Sequence, residues 1–532
     1  MALVAVTAGA VVLANQAADP EDASSSVELP STLLPVAAEP DALSTAWYCA
    51  GGTAQGDDGP AELSVVIANA APTGAEAEVV VVGSDGQLEA TSIDVPASGR
   101  VRVDGPDLVS AEWIAMTVEV LGGRATVERE VSGPNGLDVS PCSTNASERW
   151  YVPSGSTVRG ASEHLVLFNP FPDATSVDIS FATDEGRRSP RAVQGLSVPG
   201  RSLRVVSSED LPARRPEIAT RIVARTGRIV VDRVQVYDGS GDPVGGSGDG
   251  ALETPVPEGV ASTAAVPAPV ARWLFPHAVQ DVGTRTQVAV YNPGRADAVI
   301  DVVVAYERPE RFSEVEPLPL TVRGGEQQVI DLADVADIVD GSGFTIDVRS
   351  LEGVPVVAEQ LVFGAVVTDP MAEVPLDGEE PAEEGPAGGD PVEEAPPDEA
   401  AADEAAAVSP GFAVHAGSPV AASEWLLAGR AASTDQVATV VVANPGADEV
   451  TVRVEEIDRG RRSSVPAATV TVPAGDRRTL DLSNAGADTA LLVRADGAVV
   501  VGRSAVVVGG TGIVWSLATP LPETVVQLPP AL

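Results

Sequence analysis

The sequence predicts an all-β chain of four tandem Ig-like β-sandwich domains, with an acidic disordered linker before the last. Three observations support this fold class. Short runs alternate apolar with polar residues, Asn-Pro and Pro-Gly turns separate the runs, and the whole pattern occurs four times. The composition agrees, because 44% of the 532 residues are hydrophobic but only 4% are aromatic, which favours cores built from valine and alanine.

Each repeat opens with a tryptophan and reaches an asparagine that ends the first alternating run. The distance between the two is 22 residues in the first repeat and 19 in the other three. We interpret the tryptophans as buried residues that seal one end of each sandwich; the alternative is an exposed aromatic that stacks on sugar rings. An Asn-Pro pair ends a strand, because proline cannot donate to the ladder. The markers are Trp47, Trp150, Trp273 and Trp425, and Asn69, Asn169, Asn292 and Asn444.

A glycine opens the last valine-rich strand of each repeat. Six residues later stands Arg129, Arg233 or Arg503, with Glu359 in the third repeat. We interpret the arginines as structural groups that form a cross-strand ion pair or bind a loop carbonyl; an exposed arginine that recognises a partner is the alternative. The acidic Glu359 argues against one anion bound by all four copies.

Changes in composition divide the chain between the repeats. Residues 373–404 contain 13 acidic and no basic residues, a composition that cannot offset its ordering entropy by burial. We therefore expect a self-repelling spacer there and a fourth repeat held more loosely than the others. The predicted units are 1–14 (signal or membrane-anchor remnant), 15–43 (linker), 44–143, 147–238, 270–369 and 421–519 (β-sandwiches 1 to 4), 239–269 (Gly/Pro-rich linker), 370–420 (acidic Pro/Ala-rich linker) and 520–532 (C-terminal tail).

The chain has two cysteines, Cys49 and Cys142, at the two ends of the first repeat. In an exported chain a single pair is most simply a disulfide, which here would connect the entry of the domain to its exit. A nucleophilic or redox cysteine is the alternative, but it needs a nearby base or a second close thiol, and the sequence has no CxxC motif. We expect the disulfide.

Charge and motifs exclude several classes of function. All 33 basic residues are arginine and stand against 77 acidic residues, so the net charge of −44 repels nucleic-acid phosphates and anionic lipid headgroups. His164, His277 and His415 are far apart in sequence, and we expect each to be solvent-facing or locally bonded rather than a metal ligand. The sequence has no nucleophile elbow, phosphate loop or zinc motif. We therefore expect no catalytic site, no metal or other cofactor, and no nucleic-acid partner.

Residues 2–14 form an uncharged apolar run. A membrane-spanning helix needs about 20 apolar residues, so the run is too short to cross a bilayer, but its length suits the apolar part of an export signal. We expect an exported, extracytoplasmic chain. The run is then either part of a cleaved signal or the end of a single N-terminal membrane anchor.

The Trp-Tyr-x-x-x-Gly start, the Asn-Pro strand end, the Val-Pro turn and the final Val-Val-x-Arg strand together resemble an exported actinobacterial family of unknown function. They also resemble the wider group of Trp-Tyr/Asn-Pro β-sandwich repeats of bacterial surface proteins. The resemblance covers most of residues 44–520, and Cys49 and Cys142 match the first unit of that family. Leu274 and Leu426 depart from it, because they replace the tyrosine. The resemblance implies a secreted or single-pass envelope protein and implies no activity.

These features predict a non-enzymatic cell-envelope protein, exported or membrane-anchored, that acts as a multi-domain interaction and spacer module. Its partners would be envelope proteins or glycans that contact the faces or loops of the repeats. The alternative is a cell-wall polysaccharide-binding protein whose exposed aromatic residues stack on sugar. The exposure of the four repeat tryptophans distinguishes the two interpretations.

Overall fold

The structure, a computed structural model, is all-β, and the helical segments of its described part are short 3₁₀ turns. The predicted all-β class is therefore confirmed. The apolar run 2–14 and the acidic residues 373–404 lie outside the described residues. The structure describes residues 32–56, 59–207, 210–244, 256–281, 283–366, 408–429, 436–482, 485–486, 489–507 and 511–529.

The chain folds into four repeats of the same design, each opening on the strand that carries its tryptophan. The first repeat comprises β1 (Thr45–Ala54), β2 (Glu62–Asn69), β3 (Ala75–Gly83), β4 (Leu88–Val95), β5 (Gly99–Asp104), β6 (Ala111–Val120), β7 (Ala125–Gly133) and β8 (Gly136–Pro141). The second comprises β9 (Arg149–Val152), β10 (Ala161–Asn169), β11 (Thr175–Thr183), β12 (Gly186–Arg188), β13 (Gln194–Val198), β14 (Ser202–Val206), β15 (Ile218–Thr226), β16 (Val230–Asp238) and β17 (Glu258–Ala264).

The third and fourth repeats follow the same order. The third comprises β18 (Arg272–Gln280), β19 (Arg285–Tyr291), β20 (Ala298–Tyr306), β21 (Leu318–Val322), β22 (Gln327–Asp331), β23 (Ser342–Ser350), β24 (Val357–Val366) and β25 (Val408–Ala416). The fourth comprises β26 (Val420–Leu427), β27 (Gln436–Ala443), β28 (Val450–Asp458), β29 (Arg461–Val472), β30 (Arg477–Asp481), β31 (Ala490–Val507), β32 (Ile513–Leu517), β33 (Thr519–Pro520) and β34 (Val526–Gln527).

Each repeat is a sandwich of two sheets. In the first repeat the outer sheet has the order β4-β3-β6-β1 and the inner sheet the order β5-β2-β7-β8, and the corresponding strands of the other repeats pair in the same way. In the fourth repeat the long strand β31 serves both sheets. Along the strands one face is buried, and in β20 buried and half-buried residues alternate without exception.

This strand order differs from the immunoglobulin order that the sequence suggested. In an immunoglobulin sandwich strand G lies beside strand F in the same sheet, and strand B lies in the other sheet. Here β6 lies in the outer sheet and the next strand, β7, lies in the inner sheet beside β2. Sequence periodicity predicts where strands begin and end, but it does not specify which strands pair, so it predicts β-sandwiches without predicting this order.

The last strands of the four repeats, β8, β17, β25 and β32, lie together at the centre of the molecule, and we call them the axial strands. β8 lies against β17 and β32, and β25 lies against the same two strands. The four repeats therefore form a closed ring around a pseudo-four-fold axis, with the fourth repeat in contact with the first.

Glycines allow the axial strands to approach each other closely. A Cβ added at Gly259 would collide with the backbone of Phe412, and one added at Gly411 would lie 2.9 Å from Ile513. Equivalent glycines stand near the start of all four axial strands, and three of them lie 14 residues before the next repeat tryptophan. These glycines are Gly136, Gly259, Gly411 and Gly512.

Two segments that the sequence analysis assigned to linkers, 239–269 and 370–420, each contain an axial strand. β17 pairs with β16, and β25 pairs with β24 through to Val366 opposite Val408. Residues 367–407 are thus inserted between two paired strands of the third repeat and do not connect the third repeat to the fourth. The sequence interpretation ended the repeat where the composition changes, and it missed the strand beyond the change.

Apolar clusters cross all four junctions between neighbouring repeats, so the fourth repeat is not the loosely tethered unit that we expected. Its junction with the first repeat buries side chains from β2 and β26 in one cluster. Representative residues are Trp47 with Val230 and Val234 (first and second repeats), Tyr237 with Phe363 and Phe412 (second and third), Val362 and Ala413 with Ile513 and Trp515 (third and fourth), and Leu426 with Ala68 (fourth and first).

Candidate functional site

The four repeat tryptophans are buried at the start of their sandwiches, each at most 1% exposed. Their indole N–H groups donate to a carbonyl of the inner sheet in three repeats: Trp150 to Ile229 (2.9 Å), Trp273 to Val356 (2.8 Å) and Trp425 to Val499 (3.0 Å). The other two tryptophans of the chain, Trp113 and Trp515, are also buried. No tryptophan is therefore available as an exposed stacking platform.

The four repeat asparagines hold two turns together in the same way. The Asn169 side-chain amide donates to the carbonyls of Asp173 (2.8 Å) and Val198 (3.2 Å), and its oxygen accepts the N–H of Phe171 (3.1 Å). The amides of the other three asparagines make the corresponding bonds. Each asparagine thus satisfies three backbone groups that a strand end would leave unpaired.

The predicted disulfide between Cys49 and Cys142 is present, and both residues are fully buried. It connects the tryptophan strand to the segment that follows axial strand β8. Next to it, Tyr48 and Ser143 exchange two backbone hydrogen bonds of 2.7 and 3.0 Å. The other repeats make the same closure with backbone pairing alone, as between Tyr151 and Val266. The disulfide therefore reinforces a contact that all four repeats share.

The arginines that recur in three repeats, Arg129, Arg233 and Arg503, are buried and connect neighbouring repeats. Arg129 pairs with Asp232 of the second repeat, and Arg233 pairs with Glu359 of the third (3.1 Å). Arg503 pairs with Glu128 of the first (2.9 Å). Each of these three arginines thus forms a buried ion pair across a different junction of the ring. The cross-strand ion pair expected within a repeat is an ion pair between repeats.

Each of these pairs also binds the segment that follows a repeat tryptophan. The arginines donate to the carbonyls of Ala50 (2.8 Å), Ser154 (2.7 Å) and Gly429 (2.7 Å) of their own repeats. The carboxylates of the next repeat accept from the same segments: Asp232 from Ala50 N–H (2.7 Å), Glu359 from Ser154 Oγ (2.6 Å) and Glu128 from Ala428 N–H (3.1 Å). The buried charges therefore have hydrogen-bonding partners as well as counter-charges.

The strand register corrects the alignment of the third repeat. In each repeat, the residue that precedes the marker asparagine has one partner on the neighbouring strand; in repeat order, the partners are Thr126, Val230, Val357 and Val500. Three residues after each partner, on the same strand, the chain has Arg129, Arg233, Gln360 and Arg503, respectively. Gln360 therefore replaces the arginine, and Glu359 corresponds to the carboxylates of the other repeats. Counting from the glycine misplaced the third repeat by one residue, which inverts the side-chain faces of a strand.

The junction between the third and fourth repeats is consequently uncharged at this position. Gln360 stands at the arginine position, and Gly502 of the fourth repeat stands at the carboxylate position. A Cβ added at Gly502 would lie 3.0 Å from Cγ of Pro276, so the proline occupies the space of the missing side chain. Loss of both charges together avoids an unpaired buried ion, whose cost would be several kcal/mol.

Burial perturbs the titration of the groups at the junctions. It raises the pKa of the Asp232 carboxyl to about 6, although the neighbouring Arg129 lowers it. It also raises the pKa of Asp138 on axial strand β8 to about 6, against hydrogen bonds from the N–H groups of Ser262 and Val139 (both 2.8 Å). The Asp138–Ser262 bond joins β8 to β17.

The three histidines are neither solvent-facing nor isolated. His164 lies against Trp113, with ring centroids 4.7 Å apart, and burial lowers its pKa to about 4. His277 lies against Trp515 (4.1 Å), and burial together with the charges of Arg477 and His415 lowers its pKa well below 6.5. His277 and His415 thus both lie at the junction between the third and fourth repeats, where Arg477 of the fourth repeat pairs with Glu307 of the third (3.2 Å). Within the described part of the chain, no three His, Cys, Asp or Glu side chains converge as metal ligands would.

A cavity of about 100 Å³ lies on the ring axis, where the four axial strands end, and we call it the axial cavity. Its deepest layer is Ser140, Thr263, His415 and Ser516, one residue from each axial strand. Among the described residues that line it, His415 is the only titratable one. The geometry offers hydroxyl groups, one imidazole and apolar walls, which suits binding.

Residues 32–35 form one wall of the axial cavity. Leu33 is buried in the cluster of the third repeat, and Ala37 donates its N–H to Pro520 of the fourth (3.1 Å). The segment then reaches the first repeat, where Arg124 N–H donates to Ala38 (3.0 Å). The N-terminal segment, expected to be a linker, therefore crosses the cavity end of the ring. In the described part of the chain, no helix has the length and apolar character needed to cross a membrane.

Comparison with known proteins gives limited information. Residues 122–249 match a family of unknown function (DUF5719). The match begins just before β7 and spans the second repeat through β16, so it contains the Arg129–Asp232 junction. It fits the resemblance to a family of unknown function and carries no activity. No curated protein matches the sequence.

Three solved structures of unrelated proteins show low similarity to this chain. A tetra-tandem repeat from the extending region of a large adhesion protein is 12% identical, with a TM-score of 0.11, covering 92% of this chain and 100% of its own. A glycoside hydrolase family 32 protein from Bifidobacterium adolescentis is 10% identical (TM-score 0.14; 90% and 96% covered). Native E. coli alpha-2-macroglobulin is 11% identical (TM-score 0.10; 95% and 47% covered). At these TM-scores the similarities support no inference.

Proposed function

We propose that this chain is an exported cell-envelope protein that acts as a non-enzymatic interaction module, in which a closed ring of four sandwiches holds binding surfaces in fixed positions. The observation that carries the proposal is the set of buried arginine–carboxylate pairs between consecutive repeats. Such pairs fix register and orientation, because a partial slip would leave an unpaired buried charge. The module is thus a rigid platform, and its partners are envelope proteins or glycans.

The two ends of the ring differ in what they can present. The N-terminal segment leaves from the cavity end, where Leu33 is buried. The acidic insertion joins at the opposite end, because Val366 and Val408 lie at the far end of the β24–β25 pair from Ala416.

The chemistry of the first repeat supports an oxidising compartment. The chain contains two cysteines, and they form one buried disulfide. Disulfides of this kind persist outside the cytosol and are rare within it. An extracytoplasmic location is therefore part of the proposal.

Location is tested with a membrane-impermeant maleimide on intact cells. Ser92→Cys places a single free thiol on an exposed strand of the first repeat. We expect labelling in intact cells and no labelling of the wild-type chain, whose two cysteines form a buried disulfide. Labelling that requires cell lysis would contradict export.

Interaction is tested with a photo-crosslinking residue at each end of the ring. Leu88 (49% exposed) lies at the insertion end, and Leu121 (51% exposed) is its matched counterpart at the cavity end. We expect envelope proteins or glycans to crosslink to one end in preference to the other. Absence of crosslinked partners at both ends would argue against an interaction module.

A further inference from the structure

Three of the four residues in the deepest layer of the axial cavity carry hydroxyl groups that form hydrogen bonds within the protein. Thr263 and Ser516 accept hydrogen bonds from the guanidinium groups of Arg233 (2.9 Å) and Arg503 (3.0 Å), and Ser140 donates to the carbonyl of Ser262 (2.6 Å). The hydroxyl oxygens of Thr263 and Ser516 are thus used as acceptors, and the Ser140 hydroxyl is used as a donor, within the protein. The fourth strand contributes His415 instead of a hydroxyl residue.

His415 is only 8% exposed and lies directly opposite Gln360 of the neighbouring strand β24. Its Nδ1–H donates to the carbonyl of Ala416 (3.0 Å), so the neutral imidazole keeps its lone pair on Nε2. No described residue donates a hydrogen bond to Nε2. His415 is therefore a buried acceptor that lines the cavity and is available to a ligand.

The walls of the cavity are largely apolar and include Trp150, Trp273, Leu33 and Val266. A water needs roughly 10–15 Å³ of such space, so about 100 Å³ has room for a ligand of roughly seven to ten non-hydrogen atoms. Thr144 and Asn145, which are partly exposed, also line it, so the cavity reaches the surface.

A charged ligand does not fit this site. The nearest guanidinium groups behind the deepest layer belong to Arg233 and Arg503, and each is already paired with a carboxylate of the next repeat. An ion in the cavity would lose its hydration without gaining a free counter-charge.

We propose that the axial cavity binds a small uncharged molecule that combines an apolar ring or chain with a hydroxyl group. The apolar part contacts the tryptophans and the N-terminal wall, and the hydroxyl donates to Nε2 of His415. This binding site goes beyond the proposed interaction module and stands on the cavity alone.

The test uses the purified full chain and three fluorinated probes in a ¹⁹F NMR titration. We expect saturable binding of 4-fluorophenol, binding of fluorobenzene at least tenfold weaker because it lacks the hydroxyl donor, and no binding of 4-fluorobenzoate because it is charged. Wild-type protein that binds neither uncharged probe would overturn the proposal, and so would preference for the benzoate. These probe comparisons require no variant.

Variants locate the site. Ala416→Leu places a larger side chain on a lining residue and should abolish binding, whereas Ala224→Leu, at a half-buried alanine away from the cavity, should bind as wild type. His415→Phe should weaken 4-fluorophenol binding about tenfold, to the level of fluorobenzene. Unchanged binding by Ala416→Leu, with a folded protein shown by its melting curve, would overturn the proposal. Failure of the probes to bind the axial cavity would not change the labelling of Ser92→Cys on intact cells. Failure of the binding proposal is therefore distinguishable from failure of the proposed function.

Discussion

Arg129 of the first repeat and Asp232 of the second form an ion pair from which solvent is fully excluded, and both also bind the backbone of Ala50. Neighbouring residues on β7 point to opposite faces of the strand. Glu128 therefore reaches the fourth repeat, whereas Arg129 reaches the second. Glu128 and Arg129 together thus connect the first repeat to both of its neighbours, and the Arg503–Glu128 pair closes the ring.

Removal of one partner of this pair should be strongly destabilising. Arg129→Ala leaves Asp232 buried without its counter-charge, and we expect the free energy of unfolding in urea to fall by about 3–5 kcal/mol. Arg225→Ala removes an exposed arginine paired with Asp178 and should leave the free energy of unfolding nearly unchanged, because solvent screens that pair.

The junction between the third and fourth repeats, where Gln360 and Gly502 replace the arginine and the carboxylate, supplies a second test of the same pair. The double variant Arg129→Gln with Asp232→Gly reproduces the Gln360 and Gly502 of the third junction. It should lose less stability than Arg129→Ala alone, because no buried charge remains unpaired. A double variant that is less stable than the single one would show that the ion pair has no such role.

The marker asparagines should be equivalent in their effect on stability. Asn169→Ala removes hydrogen bonds to two carbonyls and one N–H group, and we expect a loss of about 1–3 kcal/mol in urea unfolding. Asn169→Asp should lower the free energy of unfolding more than Asn169→Ala does, because a carboxylate would face two carbonyl oxygens. The same pair of substitutions at Asn292 provides the internal control, and a reversed order of Ala and Asp at either site would contradict the assigned geometry.

The disulfide should stabilise the first repeat substantially. It closes a loop with a sequence separation of 93, for which the chain-entropy relation gives about 4–5 kcal/mol. Reductant should therefore lower the melting temperature of the wild-type protein. The Cys49→Ala/Cys142→Ala variant should melt lower and be insensitive to reductant, and equal sensitivity in both proteins would mean that reductant acts elsewhere.

Buried histidines should make the protein sensitive to acid. Burial lowers the pKa of His415 from 6.5 to about 4, so between these values the unfolded chain binds a proton that the folded chain excludes. Above pH 6.5 the imidazole of His415 is neutral in both states and does not lower the free energy of unfolding. As the pH falls from 6.5 towards 4, the free energy of unfolding decreases by an amount on the order of 3 kcal/mol. Asp138 and Asp232 contribute with the opposite sign, because their folded pKa values are raised.

Comparison with His415→Gln separates these contributions, because the carboxyl groups are common to both proteins. The difference in unfolding free energy between wild type and variant should change between pH 7 and pH 4. Parallel pH profiles would indicate that His415 is protonated as easily in the folded state as in the unfolded state.

The sequence predicted the local features well, because they depend on short-range chemistry. Alternating valines, the Trp-to-Asn spacing and the two cysteines specified four β-sandwich repeats, buried tryptophans and the disulfide. The contacts between repeats were missed, since nothing in a strand pattern specifies that Arg503 meets Glu128 across most of the chain. A spacing signal for the axial strands was nevertheless available in the glycines, at Gly136, Gly259 and Gly411, each 14 residues before a repeat tryptophan.

The axial cavity could not be predicted from any single repeat. Its deepest layer combines one residue from each axial strand, and two of those strands, β17 and β25, lie beyond changes of composition that resemble linkers. The third repeat shows a second limit. The turn before β24 has one residue more than the corresponding turns of the other repeats. The sixth residue after its glycine is therefore Glu359, whereas the strand register places Gln360 at the arginine position.

Closure of the ring between the first and fourth repeats is the central claim, and one disulfide tests it most directly. The hydroxyl groups of Thr126 and Thr519 lie 2.6 Å apart and are buried. Under mild oxidation, Thr126→Cys/Thr519→Cys should form a second disulfide, detected by mass spectrometry as one linked pair of tryptic peptides. The control Thr126→Cys/Thr226→Cys should keep free thiols. Free thiols in the first variant as well would show that the first and fourth repeats do not meet, and the closed ring would be wrong.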